Sequence, residues 1–123
     1  MRIDLTNARI ERTNIGNGVW QYTCFVKETI HPLGWGQVVF SKAGDKILAE
    51  VLFVYVIEKA RGSGITEMIQ YSLFKDCDII VSGQGTKEGE NKKRRLGWQY
   101  NKEINLYYII CPKNKKEEKE NGT

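Results

Sequence analysis

Three consecutive stretches decide the fold: Ile47-Leu48-Ala49-Glu50-Val51-Leu52-Phe53-Val54-Tyr55-Val56-Ile57, then Glu58-Lys59-Ala60-Arg61-Gly62-Ser63-Gly64, then Ile65-Thr66-Glu67-Met68-Ile69-Gln70-Tyr71-Ser72-Leu73-Phe74. The first is apolar at both parities with Glu50 its only charge, the pattern of a central strand covered on both faces. The third sets Ile65, Met68, Ile69, Leu73 and Phe74 along one helical face. Strand, glycine loop and helix form the first half of a crossover unit. Cys77-Asp78-Ile79-Ile80-Val81-Ser82 supplies the second strand, which a right-handed crossover lays parallel to the first.

Working outward, Gly16-Asn17-Gly18 is a turn signal between two β-rich runs, Arg9 to Asn14 and Val19 to Val26, and predicts a hairpin. The stretch Ile30 to Gly36 is broken by Pro32, Gly34 and Gly36 and reads as a loop leading into a strand at Gln37 to Ser41. Thr86 to Arg95 reads as a short helix or loop ended by Leu96-Gly97. Trp98 to Asn101 and Leu106 to Cys111 then form an antiparallel pair. The class is α/β in the α+β sense.

At 123 residues with 41% hydrophobic and 28% charged residues, the chain suits one globular domain, expected over residues 1–111. Residues 112–123 read as a charged, flexible tail, in which lysines alternate with Glu117, Glu118 and Glu120. No apolar run is long enough to cross a bilayer, and Met1-Arg2-Ile3-Asp4 lacks the order of a signal peptide, so no membrane is expected and the location reads as cytoplasmic. Cys24, Cys77 and Cys111 show no metal-ligand spacing and read as buried thiols; no metal site is expected. The net charge of +4 is modest, with one basic run at Lys92-Lys93-Arg94-Arg95.

The chemistry sits in the glycine loop. A helix that opens directly after glycines presents free backbone N–H groups and a partial positive charge, which together bind phosphate. Gly62 and Gly64 let backbone approach an anion, Arg61 can add a bidentate cation, and Ser63 and Thr66 can donate hydroxyls. A glycine pair after a strand is also frequently just a turn, so spacing alone leaves both readings open.

Val54, Val56, Arg61, Gly64 and Ile65 resemble the signature of the GCN5-related N-acetyltransferase (GNAT) family, a valine-ended central strand followed by Arg/Gln-x-x-Gly-x-Gly/Ala opening a helix. Downstream, Cys77 to Ser82 is similar to the family's fifth strand, and Leu96-Gly97-Trp98 to its Leu-Gly-Phe, so the likeness spans roughly Gly36 to Cys111. It implies the acyl-CoA N-acyltransferase fold: one mixed, mostly antiparallel sheet with a parallel central pair splayed into a V, flanked by two helices. It also implies acetyl-CoA as acyl donor, bound by Val54, Tyr55, Val56, Ile57, Arg61, Gly62, Ser63, Gly64, Ile65 and Thr66. The pyrophosphate would lie on the amides of Gly62 to Thr66 and the pantetheine arm in the V.

Three departures from the family pattern stand out. Thr66 occupies a place usually held by glycine or alanine. Lys93 sits four residues before the glycine of Leu-Gly-Trp, where the family commonly has the tyrosine that protonates the leaving thiolate. β-type residues occupy the region where the family usually has two helices walling the acceptor site, which implies an open acceptor side.

An amine acceptor needs a base, and Glu50 is the best-placed carboxylate; Tyr100 stands in as candidate acid. His31, beside Pro32, is the sole histidine and suits proton transfer or plain loop structure. Tyr107 and Tyr108 read as sheet packing or as further candidate acids. Trp20, Trp35 and Trp98 read as core or as acceptor-pocket walls. Lys92 to Arg95 could face solvent, an acidic partner, the cofactor's 3′-phosphate or nucleic acid. The leading expectation is acetyl-CoA-dependent N-acetylation of a primary amine of unidentified nature, with the open side favouring a macromolecular acceptor, a protein lysine or a nucleic acid. A non-catalytic CoA-binding or anion-binding module and a basic nucleic-acid-binding protein are the alternatives; a monomer and a homodimer are both open.

Overall fold

A computed structural model describes residues 4–26, 30–83 and 87–112. The charged tail from Lys113 lies outside the described residues, as do Met1 to Ile3. Seven strands form a single sheet: β1 (Ala8–Gly16), β2 (Val19–Val26), β3 (Gly34–Ala43), β4 (Lys46–Val56), β5 (Ile79–Ser82), β6 (Gln99–Asn101) and β7 (Leu106–Ile110). Helix α1 (Ile65–Phe74) joins β4 to β5, and α2 (Lys87–Arg95) follows β5. The spatial order is β1-β2-β3-β4-β5-β7-β6, with β4 and β5 the parallel pair and every other neighbour antiparallel.

The expected hairpin forms, with Asn17 and Gly18 both at positive φ (56° and 76°), the turn geometry that matches strand twist. Helix α1 spans the segment read from the sequence and buries Ile65, Ile69, Gln70, Leu73 and Phe74. These meet Tyr22, Cys24, Val38, Ala49 and Ile80 of the sheet in one core. Each fully buried aliphatic side chain there contributes roughly 1.5–3 kcal/mol. The three cysteines are buried thiols, with Cys77 Sγ 3.7 Å from Cys111 Sγ.

Two polar devices place the helix and the parallel strand. Asp76, just past the end of α1, accepts a hydrogen bond from the Tyr22 hydroxyl at 2.7 Å and pairs with Arg12 at 2.9 Å, tying the helix end to the hairpin. Desolvation raises the Tyr22 pKa above its ordinary value, and the Asp76 carboxylate adds to the shift. Asp78, one residue before β5, exchanges backbone and side-chain bonds with Ile47 at 2.8 and 2.7 Å, and its carbonyl accepts from Cys111 N–H at 2.9 Å. That clamp sets the register in which β5 enters between β4 and β7.

Two sequence expectations need correcting. Gly34-Trp35-Gly36 is strand, not loop: β3 begins at Gly34. The glycines are there because β4 and α1 together press on this strand. A Cβ on Gly34 would stand 2.8 Å from the Tyr55 carbonyl oxygen and 2.9 Å from Ile65 Cγ2. Trp35, between them, lies across from Tyr55 in the β3–β4 register and stacks on it, ring centroids 4.9 Å apart.

Secondly, β4 is not covered on both faces along its length. Leu52, Phe53, Val54 and Tyr55 are each between 38% and 48% exposed. Their apolarity reflects an open cleft on one side and a bare sheet face on the other, where β1 and β2 join by a tight turn and no helix intervenes. Among the described residues, no helix is long and apolar enough to cross a membrane.

Candidate functional site

The central pair parts midway. β4 pairs with β5 from Leu48↔Ile79 to Val51↔Ser82 and no further, although β4 runs on to Val56. The parting coincides with a β-bulge. On the other side of β4, Gln37 pairs with Phe53 and Val38 with Val51, which leaves Leu52 as an extra residue. A bulge bends its strand and increases local twist, so β4 turns away from β5 at this point. Among the described residues, the β5-facing edge of β4 has no strand partner beyond Val51.

A cleft of about 450 Å³ occupies the gap. Its floor is Val51 to Val54, one wall is α1 (Thr66, Ile69, Gln70, Leu73), and the other comprises Ser82, Gly83, Lys92, Lys93, Leu96 and Trp98. Trp98 Nε1–H donates to the buried Gln70 Oε1 at 3.0 Å and fixes the two walls to each other.

A second hollow of about 340 Å³ lies at the N-terminus of α1, lined by Val54, Tyr55, Val56, Ala60, Arg61, Gly62, Gly64, Ile65, Thr66 and Lys92. Gly64 caps the helix at φ 97° and no side chain caps it. The first N–H groups of the helix have no acceptor within it and therefore face this hollow's end of the molecule. Gly62 is at φ 81°, a conformation that strains any residue with a Cβ. Arg61 anchors the loop through Nε–H to the Val56 carbonyl at 3.2 Å. Ser63, with Gly62, Gly64, Glu67, Lys92 and Arg95, lines an adjoining hollow on the outer side of the loop.

Most of the residues expected to bind cofactor thus come together. Ile57 is the exception: it lines none of these hollows, and its N–H bonds the Leu33 carbonyl at 2.9 Å. Glu50 is exposed on β4, one residue along from the buried Ala49 and so on the opposite sheet face from α1. Tyr100 stands on edge strand β6, packed on Tyr107 at 4.9 Å between ring centroids and bonded through its hydroxyl to Asn105, and does not line the cleft. His31 is exposed outside the cleft, and the Tyr108 hydroxyl bonds Gln99 Oε1 at 2.6 Å.

Lys92 and Lys93 gain definite positions that the charge run alone did not give. Lys92 reaches Glu67 Oε1 at 3.4 Å and borders all three hollows. Lys93 reaches along its own wall of the cleft to the end of β5, where Nζ donates to Ser82 Oγ at 2.9 Å and to the Gly83 carbonyl at 3.0 Å. The ammonium also lies 5.2 Å from the Tyr107 ring centroid and 5.8 Å from that of Trp98. Burial lowers its pKa below the ordinary lysine value, and the Glu90 carboxylate opposes the shift in part.

This fold recurs in solved structures. The fold is that of the GCN5-related N-acetyltransferases. A Bacillus subtilis acetyltransferase in complex with CoA superposes with a TM-score of 0.63 at 12% identity, covering 84% of this chain and 98% of that one. A protein of the KacTA–DNA complex gives 0.64 at 13% identity, covering 85% and 76%. An acetyltransferase from Exiguobacterium sp. 255-15 gives 0.59 at 16% identity, covering 85% and 94%. No protein-family model matches the sequence, and no curated protein matches it either. The GNAT likeness is therefore one of fold, carried by shape where sequence identity is low.

Proposed function

We propose that the chain binds acetyl-CoA in the split between β4 and β5 and transfers the acetyl group to a primary amine presented from the bare sheet face. One observation carries the reading: the cleft and the hollow at α1 share Val54, Thr66 and Lys92. A single elongated ligand with an anionic head and an amide-and-methylene arm fits that continuous shape. Phosphates would take the N–H groups at Gly62 to Thr66, with Arg61 and Lys92 as cations. The arm would run along Val54 to Val56, where the unpaired strand edge offers backbone N–H and C=O groups to amides.

Catalysis on this reading rests on positioning and on a backbone donor to the thioester oxygen, both of which the split strand supplies. Glu50, on the bare face, would draw the proton from the incoming amine through water. The aromatic pair Trp35–Tyr55 borders the same face and would flank the acceptor. With no helix between β1 and β2 to wall the sheet face opposite α1, a macromolecular acceptor such as a protein lysine or a nucleic acid would have access that a walled pocket would deny.

Lys93 favours a second reading, in which the cleft holds CoA without turnover, because a lysine replaces the tyrosine expected as thiolate acid. Amine-dependent release of free thiol from acetyl-CoA, measured across small amines, peptides and RNA, decides between the two. Thiol release that needs the amine supports transfer; CoA binding with none supports the binding module.

A further inference from the structure

An unusual feature of the cleft is that it already contains a primary amine. Lys93 Nζ is not at the rim but at the point where β4 and β5 separate, held by Ser82 Oγ and the Gly83 carbonyl at the end of β5. The wall it belongs to includes Trp98, tied to α1, and it faces the strand segment Val51 to Val54, of which Leu52 to Val54 are exposed. On the proposed binding mode, this is the segment beside which an acyl thioester must lie.

Both hydrogen bonds of Nζ are donated, which bears on its reactivity. Two acceptors fit an uncharged amine as well as an ammonium, because an amine can donate two protons and keep its lone pair. The loss of water around the side chain disfavours the charged form, and the lowered pKa reflects it, against the pull of the Glu90 carboxylate and of the Trp98 and Tyr107 ring faces toward the ammonium. Surface lysines lack both features.

We propose that Lys93 is itself an acyl acceptor, modified by the acyl-CoA that the cleft binds; this rests on the proposed cofactor site. The uncharged Nζ adds to the thioester carbonyl carbon, forming a C–N bond. The C–S bond then breaks with its electron pair on sulfur, and the proton lost from nitrogen ends on the thiolate. One acyl-CoA and one lysine give one amide and one free CoA. The amide is stable and keeps one N–H for Ser82 Oγ or the Gly83 carbonyl. It has no charge and is larger than the amine, so the modification fills the cleft and stops at one equivalent.

The test is intact-mass and peptide-level mass spectrometry of the full chain incubated with acetyl-CoA, run beside a thermal-shift titration with CoA. The expected result is a single acetyl group on Lys93, formed faster than on any other lysine and blocked by excess CoA. Lys93→Arg, folded by circular dichroism, should lose that adduct. Acetic N-hydroxysuccinimide ester, which needs no binding site, should instead favour exposed lysines in both proteins. A CoA shift without an adduct on Lys93, or an adduct spread over surface lysines, overturns the proposal and leaves the cofactor site standing. Absence of any CoA shift overturns both.

Discussion

Replacing Gly34 by alanine probes the contact on which the site's geometry depends. The added Cβ would lie 2.8 Å from the Tyr55 carbonyl oxygen and 2.9 Å from Ile65 Cγ2, against 3.4 Å or more for ordinary contact. The nearest atom belongs to the backbone of β4, so no rotamer change relieves it. Overpacking of this kind costs about 1–3 kcal/mol. For a domain of about 100 residues each kcal/mol is worth about 4–8 °C in Tm, so the midpoint should fall by roughly 5–20 °C. Ile65 is the first residue of α1 and Tyr55 borders the anion hollow, so the helix and loop should shift and CoA affinity should fall as well. Gly36→Ala is the matched control. Its Cβ would meet the Val54 and Ile69 methyls at 3.3 and 3.4 Å, side-chain atoms that can give way. Paired urea melts should therefore rank wild type and Gly36→Ala close together and Gly34→Ala well below. Equal midpoints for the two alanine variants would refute the packing argument.

Other consequences follow from the polar network. Because the folded-state pKa of Tyr22 is raised, its contribution to stability is complete below the unfolded value of about 10 and is lost as pH rises beyond it. Wild type should lose stability above that pH, and Tyr22→Phe should show a shallower decline in melts from pH 8 to 11; identical slopes would count against the raised pKa that burial and the Asp76 bond give the Tyr22 hydroxyl. At neutral pH, Tyr22→Phe should cost about 1.5–3 kcal/mol, the worth of a hydrogen bond to a charged group, read from urea unfolding. Trp98→Phe leaves Gln70 Oε1 buried without its donor and should cost at least about 1–3 kcal/mol in the same assay, while Trp98→Phe combined with Gln70→Leu recovers part of the loss.

The fold was largely legible because its deciding features are local. The period change from Ile57 to Ile65, the turn at Gly16 to Gly18 and the helix face of α1 all lie in contiguous sequence. Gly34 and Gly36 misled because glycine has two meanings: a turn former, and a strand residue where another element comes close. Only the approach of α1, thirty residues away in sequence, tells them apart. The apolar run of β4 misled for a related reason, since lining a cleft and filling a core demand the same side chains. In the site, the loop Arg61 to Thr66 was legible from its glycines. The positions of Lys92 and Lys93 were not, because a basic run looks the same whether it faces solvent or crosses to β5; the bulge at Leu52 has no sequence mark at all.

Calorimetric titration with CoA asks whether the split strand and the glycine loop form one acyl-CoA site. Saturable one-to-one binding is expected, and Arg61→Ala, with its fold retained, should lose affinity by about tenfold or more, at about 1.4 kcal/mol per tenfold. No heat of binding at millimolar CoA to the folded wild-type protein would contradict this expectation.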